Sequence, residues 1–344
     1  MTTGPDTDDI WHAVTLANGY MHARNYRRAE EVVRSALVHN PHSARLLTEL
    51  ARAQHFRGDD KAAERSVVAA LTATPDDAYP MRIYAAVLVG LGRKHEATEW
   101  ARRAVDTAPL DQSMHYEYAR VLSTAGRAAD ALPVATEALR MAPESADAHN
   151  LMGVVLGMLG RRAQAMAEYK KALELEPGHA RALSNIAVNR ANRRNLSGAL
   201  AGFSEAGRLD PHMGDEMRKH ITATVRRWLG WTTIAAWVVL YILLKIEERG
   251  GLSSYQARGV ALAGAAVMLV MVGWLARSLP RHLWSPIMRQ RGFRSLKIYL
   301  GAGALVIGVL GALVFGAPIN FWVLAGTLFM VMIVSWIAPR LDKD

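Results

Sequence analysis

Arginine and tyrosine side chains are the strongest candidates for a binding site in this sequence. They are concentrated between residues 45 and 120, and an asparagine follows at 150. The set is Arg45, Arg52, Tyr79, Arg82, Tyr116, Arg120 and Asn150. Guanidinium groups form paired hydrogen bonds with carboxylates, and aromatic rings offer apolar contact area beside them. This chemistry suits the binding of an acidic segment of another protein.

Residue combinations that support catalysis are missing from the sequence. There is no cysteine, which excludes thiol catalysis, disulfides and Cys-ligated metal sites. His39 and His42 share a loop with Pro41, but two histidines without a third ligand do not make a metal site. No phosphate-binding loop or nucleophile elbow occurs. We therefore predict that the protein is not an enzyme and uses no cofactor or metal.

A regular sequence repeat must position these side chains. Proline recurs with a constant period of about 34 residues, which predicts helix–turn–helix units. The prolines are Pro41, Pro75, Pro109, Pro143, Pro177 and Pro211. With proline as residue 32 of each unit, the repeats span 10–43, 44–77, 78–111, 112–145, 146–179 and 180–213.

Alanine recurs at residues 20 and 27 of every repeat, on one face of the second helix. These are Ala29, Ala36, Ala63, Ala70, Ala97, Ala104, Ala131, Ala138, Ala165, Ala172, Ala199 and Ala206. Small side chains there let two helices approach closely. Glycine at residue 15 predicts the turn between the two helices, as in Gly58, Gly92, Gly126 and Gly160. Good helix N-caps follow the prolines at Ser43, Asp77, Asp111 and Ser145, whereas His179 and Met213 break this pattern.

The array resembles the tetratricopeptide repeat (TPR) family, which has a small residue at position 8, Ala at 20, a large residue at 24, Ala at 27 and Pro at 32. The fifth repeat matches best, with Gly153, Ala165, Tyr169, Ala172 and Pro177 in place. The resemblance covers 10–213, which is more than half of the chain. It implies an all-α solenoid of about six repeats. Gln54 and Arg190 at residue 11 depart from the pattern.

The resemblance also implies that the first helix of each repeat lines a concave groove that binds peptides or helices of other proteins. Residues 2, 5, 9 and 12 then point inward, which adds Trp11, Asn18, His55 and Arg181 to the first set. We predict an acidic partner segment near repeats two to four. The alternative is a solvated helix face with salt bridges along it. The carboxylate clamp of chaperone-binding members is not matched, since Val14 precedes Asn18 and Glu49 follows it. Trp11 and Trp100 are interpreted as packed core residues rather than partner anchors.

Long uncharged runs follow the array. They cover 228–244, 259–276 and 298–339, and the last is too long for one membrane crossing. Gly316, Ala317 and Pro318 break it, so we predict four transmembrane helices at about 228–246, 259–276, 298–316 and 319–338. These spans contain almost no ionisable residue, so we interpret them as an anchor.

The cationic residues indicate the orientation. Residues 215–344 carry 15 Lys and Arg against 6 Asp and Glu, whereas residues 1–214 are almost balanced at 26 against 25. With the N-terminus inside, inside segments carry 12 Lys and Arg and outside segments carry 3, which predicts a cytoplasmic array and C-terminus in a bacterial inner membrane. The basic linker 277–297 is a candidate for anionic lipid headgroups. Because the positive charge lies beside apolar runs, we predict no nucleic-acid binding.

The predicted domain order is therefore a flexible N-terminus at 1–9, a TPR array at 10–213, a juxtamembrane linker at 214–227, a transmembrane domain at 228–338 and a cytoplasmic tail at 339–344. The predicted function is a membrane-anchored scaffold or adaptor that binds partner proteins. The alternative is a non-catalytic subunit of a membrane transport, secretion or envelope-biogenesis complex.

Overall fold

The computed structural model describes residues 5–193, 195–210, 213–214, 216–217 and 219–224. Within these residues the chain forms twelve α-helices and no strand. The helices are α1 Pro5–His22, α2 Tyr26–His39, α3 Ala44–Arg57, α4 Asp60–Ala73, α5 Ala78–Gly90, α6 Lys94–Thr107, α7 Gln112–Thr124, α8 Ala128–Met141, α9 Ala146–Met158, α10 Arg162–Leu175, α11 Ala180–Asn192 and α12 Leu196–Leu209. Consecutive helices pair from α1 with α2 to α11 with α12, so that each pair is one helix–turn–helix unit of the predicted repeat.

The turn inside a repeat is built on a left-handed backbone position. Gly58 and Gly160 have φ values of 89° and 76°, and Gly92 and Gly126 behave in the same way. Glycine adopts this conformation without a Cβ clash, which explains its recurrence at residue 15. In the first repeat, residue 15 is Arg24, which also has a positive φ, of 55°.

Each first helix from α3 to α11 begins at a side-chain cap. The oxygens of Ser43, Asp77, Asp111 and Ser145 accept backbone N–H groups of the first turn, as predicted. The sequence pattern predicts no cap at His179, but its Nδ1 accepts the backbone N–H of Ala182 at 3.1 Å. An imidazole nitrogen thus satisfies an amide that would otherwise lack a partner.

Residues 1–177 form one compact unit that contains α1 to α10. The second helices α2, α4, α6 and α8 each pack between two first helices, and α10 packs against α9. The first helices also contact one another in the order α1, α3, α5, α7, α9. We call the surface formed by these five helices the first-helix face. The alanines at residues 20 and 27 are buried throughout this unit, except that Ala36 is only partly buried.

Residues 178–344 form the second unit, of which α11, α12 and a helical stretch within 213–224 are described. Phe203 of α12 is buried with Met217 and Ile221 from that stretch. The described residues of the predicted linker 214–227, of which Thr224 is the last, are therefore helical.

In the described part of the chain, no helix combines the length and apolar character needed to cross a membrane. The four predicted spans, the basic linker 277–297, Arg194 and Pro211 all lie outside the described residues.

Candidate partner-binding surface

Residue 2 of each of the first three repeats places a side chain on one row of the first-helix face. Trp11 comes from α1, Arg45 from the first turn of α3 and Tyr79 from the first turn of α5. Arg82 lies one turn after Tyr79 on the same helix. We call these four side chains the arginine–aromatic row.

The row is a continuous series of cation–π contacts. The guanidinium carbon of Arg45 lies 5.9 Å from the ring centroid of Trp11 and 5.0 Å from that of Tyr79. The guanidinium carbon of Arg82 lies 5.1 Å from the Tyr79 ring. Contacts of this length are attractive and hold the guanidinium groups in place while their N–H edges remain available as donors.

Glu49 is the buried centre of the neighbouring cluster. Its side chain is 2% exposed, and its carboxylate lies 2.8 Å from Arg52 Nη2 and 3.7 Å from Arg45 Nε. The hydroxyl of Tyr79 donates to Glu49 Oε1 at 3.0 Å, and Arg52 also donates to Asn18 Oδ1. Burial, together with the Glu49 charge, raises the pKa of Tyr79 to about 12, so this hydroxyl remains a donor at neutral pH.

The cluster retains positive charge after these pairings. Arg45, Arg52 and Arg82 contribute three positive charges and Glu49 one negative charge, which leaves +2. In the described part of the chain no carboxylate lies within ion-pair distance of Arg82. An anionic group approaching the row would therefore meet a positive charge that the described residues do not balance.

Further along the first-helix face, Arg120 and Glu117 form an ion pair within one helix. Arg120 donates to both carboxylate oxygens of Glu117 at 2.8 and 2.6 Å. Burial lowers the pKa of Arg120, but the hydrogen bonds to Glu117 together with the charges of Glu117 and Tyr116 outweigh burial and raise the pKa overall. The Arg120 charge is thus neutralised within one helix.

Two tetratricopeptide-repeat family models match the chain, one over residues 9–144 and another over residues 116–180. The matched residues together contain α2 to α10 and almost all of α1. Residues 9–180 are tetratricopeptide repeats.

Several solved structures match part of the chain. A thermophilic TPR protein of Thermus thermophilus is 21% identical, with a TM-score of 0.48 over 52% of this chain and 98% of that one. PilF of Pseudomonas aeruginosa is 20% identical, with a TM-score of 0.47 over 60% and 95%. YrrB, described as a TPR protein with an unusual peptide-binding site, is 22% identical, with a TM-score of 0.37 over 53% and 94%. None of the curated proteins matches the chain.

The structure separates the predicted groove residues into groups. Arg45, Tyr79 and Arg82 lie together on the arginine–aromatic row, whereas Arg52 is held by Glu49. Asn150 is buried, at 6% exposure, so its side chain offers a partner little surface. Tyr116 and Arg120 lie on α7, two first helices beyond α3.

The two tryptophans behave differently from one another. Trp100 packs against Tyr84, with ring centroids 5.1 Å apart, and is partly buried at the edge of the core. Trp11, in contrast, is 64% exposed. The interpretation of Trp11 as a core residue is therefore wrong, because this position lies on the first-helix face, where the ring contacts the Arg45 guanidinium rather than packing between helices.

Glu49 is the important residue that the sequence interpretation missed, since it enters there only as a departure from the carboxylate clamp. A usable signal is present in the sequence. Glu49 and Glu117 both occupy residue 6 of their repeats, and both precede an arginine by three positions. That spacing places the two charges on one helix face.

Proposed function

We propose that this protein is a non-catalytic adaptor whose TPR array binds an acidic segment of a partner protein at the arginine–aromatic row. TPR arrays bind peptides or other proteins, and the described residues form such an array. The observation that supports an acidic partner is the net charge of +2 in a cluster whose guanidinium groups are already held in place.

Binding a carboxylate to Arg45 or Arg82 should cost little additional side-chain entropy. A free arginine loses considerable side-chain entropy when it binds a carboxylate, whereas stacking on Tyr79 has already restricted Arg45 and Arg82. Arg82 is also partly buried, which weakens solvent screening around its charge, whereas the Arg45 side chain is 49% exposed.

The test is affinity capture with the full-length chain in mild detergent. The double variant Arg45→Gln, Arg82→Gln should lose the partners that the wild-type chain retains, and moderate salt should elute them from the wild type. Arg140→Gln is the matched control, because Arg140 is exposed on a second helix and pairs with Glu137 of the same helix. Identical partner lists for wild type and double variant would overturn the proposal.

We also propose that residues 228–338 anchor this array in a membrane, with the repeats on the cytoplasmic side. The support is the sequence alone, namely the uncharged runs and the inside excess of Lys and Arg. Only the short segment 212–227 separates Pro211 from Trp228, so the array would stand close to the membrane surface. The basic linker 277–297 would then lie at the inner leaflet, where anionic headgroups can bind it.

Protease accessibility tests the anchor and its orientation separately from partner binding. Protease added to intact cells should leave the array undigested, and the same protease should digest it after the membrane is opened. Digestion in intact cells would contradict the orientation. Release of the chain from membranes by carbonate alone would contradict the anchor.

A further inference from the structure

The turns inside the repeats lie along one edge of the unit formed by residues 1–177. A short turn joins each first helix to its second helix, and consecutive helices of this unit pack side by side, so first helices run in one direction and second helices run back. Neighbouring turns also touch. The ring centroids of Tyr26 and Phe56 lie 5.5 Å apart, and Arg93 pairs with Glu64 of the preceding repeat. The loops between repeats lie along the opposite edge.

Both edges can be defined by windows of equal length in the repeat frame. We call residues 11–21 of the first five repeats the turn edge, which comprises 20–30, 54–64, 88–98, 122–132 and 156–166. We call the windows around the loops the loop edge, which comprises 37–47, 71–81, 105–115 and 139–149. The two edges are separated by the length of a helix, which is about 20 Å for the 13 residues of α7.

The two edges carry opposite net charge. The turn edge has ten Lys and Arg against six Asp and Glu, a net of +4, whereas the loop edge has two against six, a net of −4. Some turn-edge cations are balanced nearby, as Arg57 is by Glu30 at 2.9 Å and Arg127 is by Asp130 at 2.7 Å. In the described part of the chain, no carboxylate lies within ion-pair distance of four exposed cations on this edge, namely Lys61, Lys94, Arg161 and Arg162. An anionic surface would therefore orient the unit with its turn edge toward that surface.

Exposed apolar side chains accompany these cations. Phe56 and Met158 are 52% and 48% exposed, and both lie on the turn edge at the end of a first helix. A lipid surface accepts both kinds of group, since its headgroups attract cations and its acyl boundary receives apolar side chains. A nucleic acid would carry its phosphates past the six acidic residues of the edge, whereas lipids diffuse and can gather beside each cation. The edge therefore fits a fluid anionic surface.

We propose that the turn edge of residues 1–177 rests on anionic lipid headgroups, with the loop edge turned away from the membrane. This inference rests on the proposed membrane anchor, which holds the array near the surface, and it adds the orientation of the array. The tether also explains why a modest net charge of +4 is sufficient, because the contact forms within one molecule and pays no cost of association.

This orientation keeps the arginine–aromatic row away from the lipid phosphates. Arg45 and Tyr79 lie in the first turns of α3 and α5, at the loop-edge end of these helices. A helix length of about 20 Å is more than twice the Debye length of about 8 Å at physiological ionic strength. Lipid charge is therefore screened at the row, and headgroups do not compete with an acidic partner segment for its arginines.

Energy transfer from two alternative labels tests the orientation. The sequence has no cysteine, so one introduced cysteine carries the fluorophore. Ala129→Cys labels the turn edge and Leu110→Cys labels the loop edge, and these exposed positions flank the two ends of α7. The full-length chain is placed in nanodiscs that contain a headgroup-labelled acceptor lipid. In equal parts of phosphatidylglycerol and phosphatidylcholine, transfer should be higher from Ala129→Cys than from Leu110→Cys. The difference should be lost in phosphatidylcholine alone and at high salt.

Charge variants assign the contact to the turn edge. The quadruple variant with Lys61→Gln, Lys94→Gln, Arg161→Gln and Arg162→Gln should lose the difference between the two labels. The matched control removes four exposed cations from second helices outside the turn edge, through Arg103→Gln, Arg140→Gln, Lys170→Gln and Lys171→Gln, and should keep the difference.

Three results would overturn the proposal. They are equal transfer from both labels in the anionic discs, a difference that survives in phosphatidylcholine alone or in the quadruple variant, and binding of a labelled DNA duplex by the wild type but not by the quadruple variant. Carbonate extraction judges the anchor separately. A chain that carbonate leaves in the membrane but that gives equal transfer retains the anchor without the edge contact, whereas release by carbonate contradicts the anchor whichever label is nearer.

Discussion

Replacing Glu49 with alanine should strongly destabilise repeats two and three. The substitution removes the carboxylate that Arg52 approaches at 2.8 Å and that the Tyr79 hydroxyl donates to at 3.0 Å. Loss of a charged hydrogen bond costs about 1.5–3 kcal/mol, and a buried hydroxyl without an acceptor costs about 1–3 kcal/mol. The better helix propensity of alanine returns less than about 0.7 kcal/mol. The expected loss of opening free energy is therefore about 2–6 kcal/mol, which includes the range of about 3–5 kcal/mol for breaking a buried ion pair.

Native-state hydrogen exchange is the suitable assay, because each repeat contacts only its neighbours and the effect should remain local. Amides of α3 and α5 should lose protection in Glu49→Ala, while those of α9 should change little. Glu137→Ala is the control, since Glu137 and Arg140 are 36% and 69% exposed and such pairs contribute under about 1 kcal/mol. A loss below about 1 kcal/mol in α3 would refute the assignment of Glu49 as the centre of the cluster.

Three further predictions concern the repeat and its tyrosines. In a urea titration, Gly153→Ala should lower the free energy of unfolding by about 1 kcal/mol or more, because a Cβ there would lie 2.5 Å from the Tyr169 ring. Gly157→Ala should be neutral or stabilising in the same titration, because the nearest atom to its added Cβ is 3.6 Å away. Gly58→Ala should cost about 1–2 kcal/mol in that titration through its φ of 89° alone, since nothing lies within 4 Å of the added carbon. Burial raises the pKa of Tyr169 to about 12, so the unfolded chain loses the hydroxyl proton at a lower pH than the folded chain. The free energy of unfolding should therefore fall as pH rises from about 10 to 12. In thermal melts between these pH values, Tyr169→Phe should reduce the fall by on the order of 2 kcal/mol.

The repeat was predictable because its signals are local. Gly58 must be glycine for its own φ, Ser43 caps its own helix, and Ala63 is small where its own helix pair closes. Each choice is fixed by geometry that recurs in every repeat, so the sequence displays it several times. The cap at His179 was harder to predict because imidazole is an uncommon cap, although its Nδ1 can accept a hydrogen bond as an oxygen does.

The binding surface was less predictable because its chemistry depends on pairs from different repeats. The positions of Arg45 and Arg82 followed from the repeat frame, but whether a carboxylate neutralises each charge did not. Which arginine is neutralised depends on whether a carboxylate on the same or a neighbouring helix reaches it, as Glu49 does for Arg52. The exposure of Trp11 depends on a side chain of the next repeat, since the Arg45 guanidinium lies over its ring and leaves 64% of the residue exposed.

These pairings move the expected docking site toward the start of the array. The sequence places it near repeats two to four, with Arg120 among its cations. Since Glu117 holds Arg120 through two hydrogen bonds, attracting a ligand carboxylate to repeat four would mean competing with an internal one. At repeats one to three, Arg82 has no such competitor in the described residues, and Arg45 is held only by a 3.7 Å contact and by stacking. The free energy available for an acidic segment is therefore greatest where Trp11 also offers apolar surface, so charge and apolar contact should select the same end of the array.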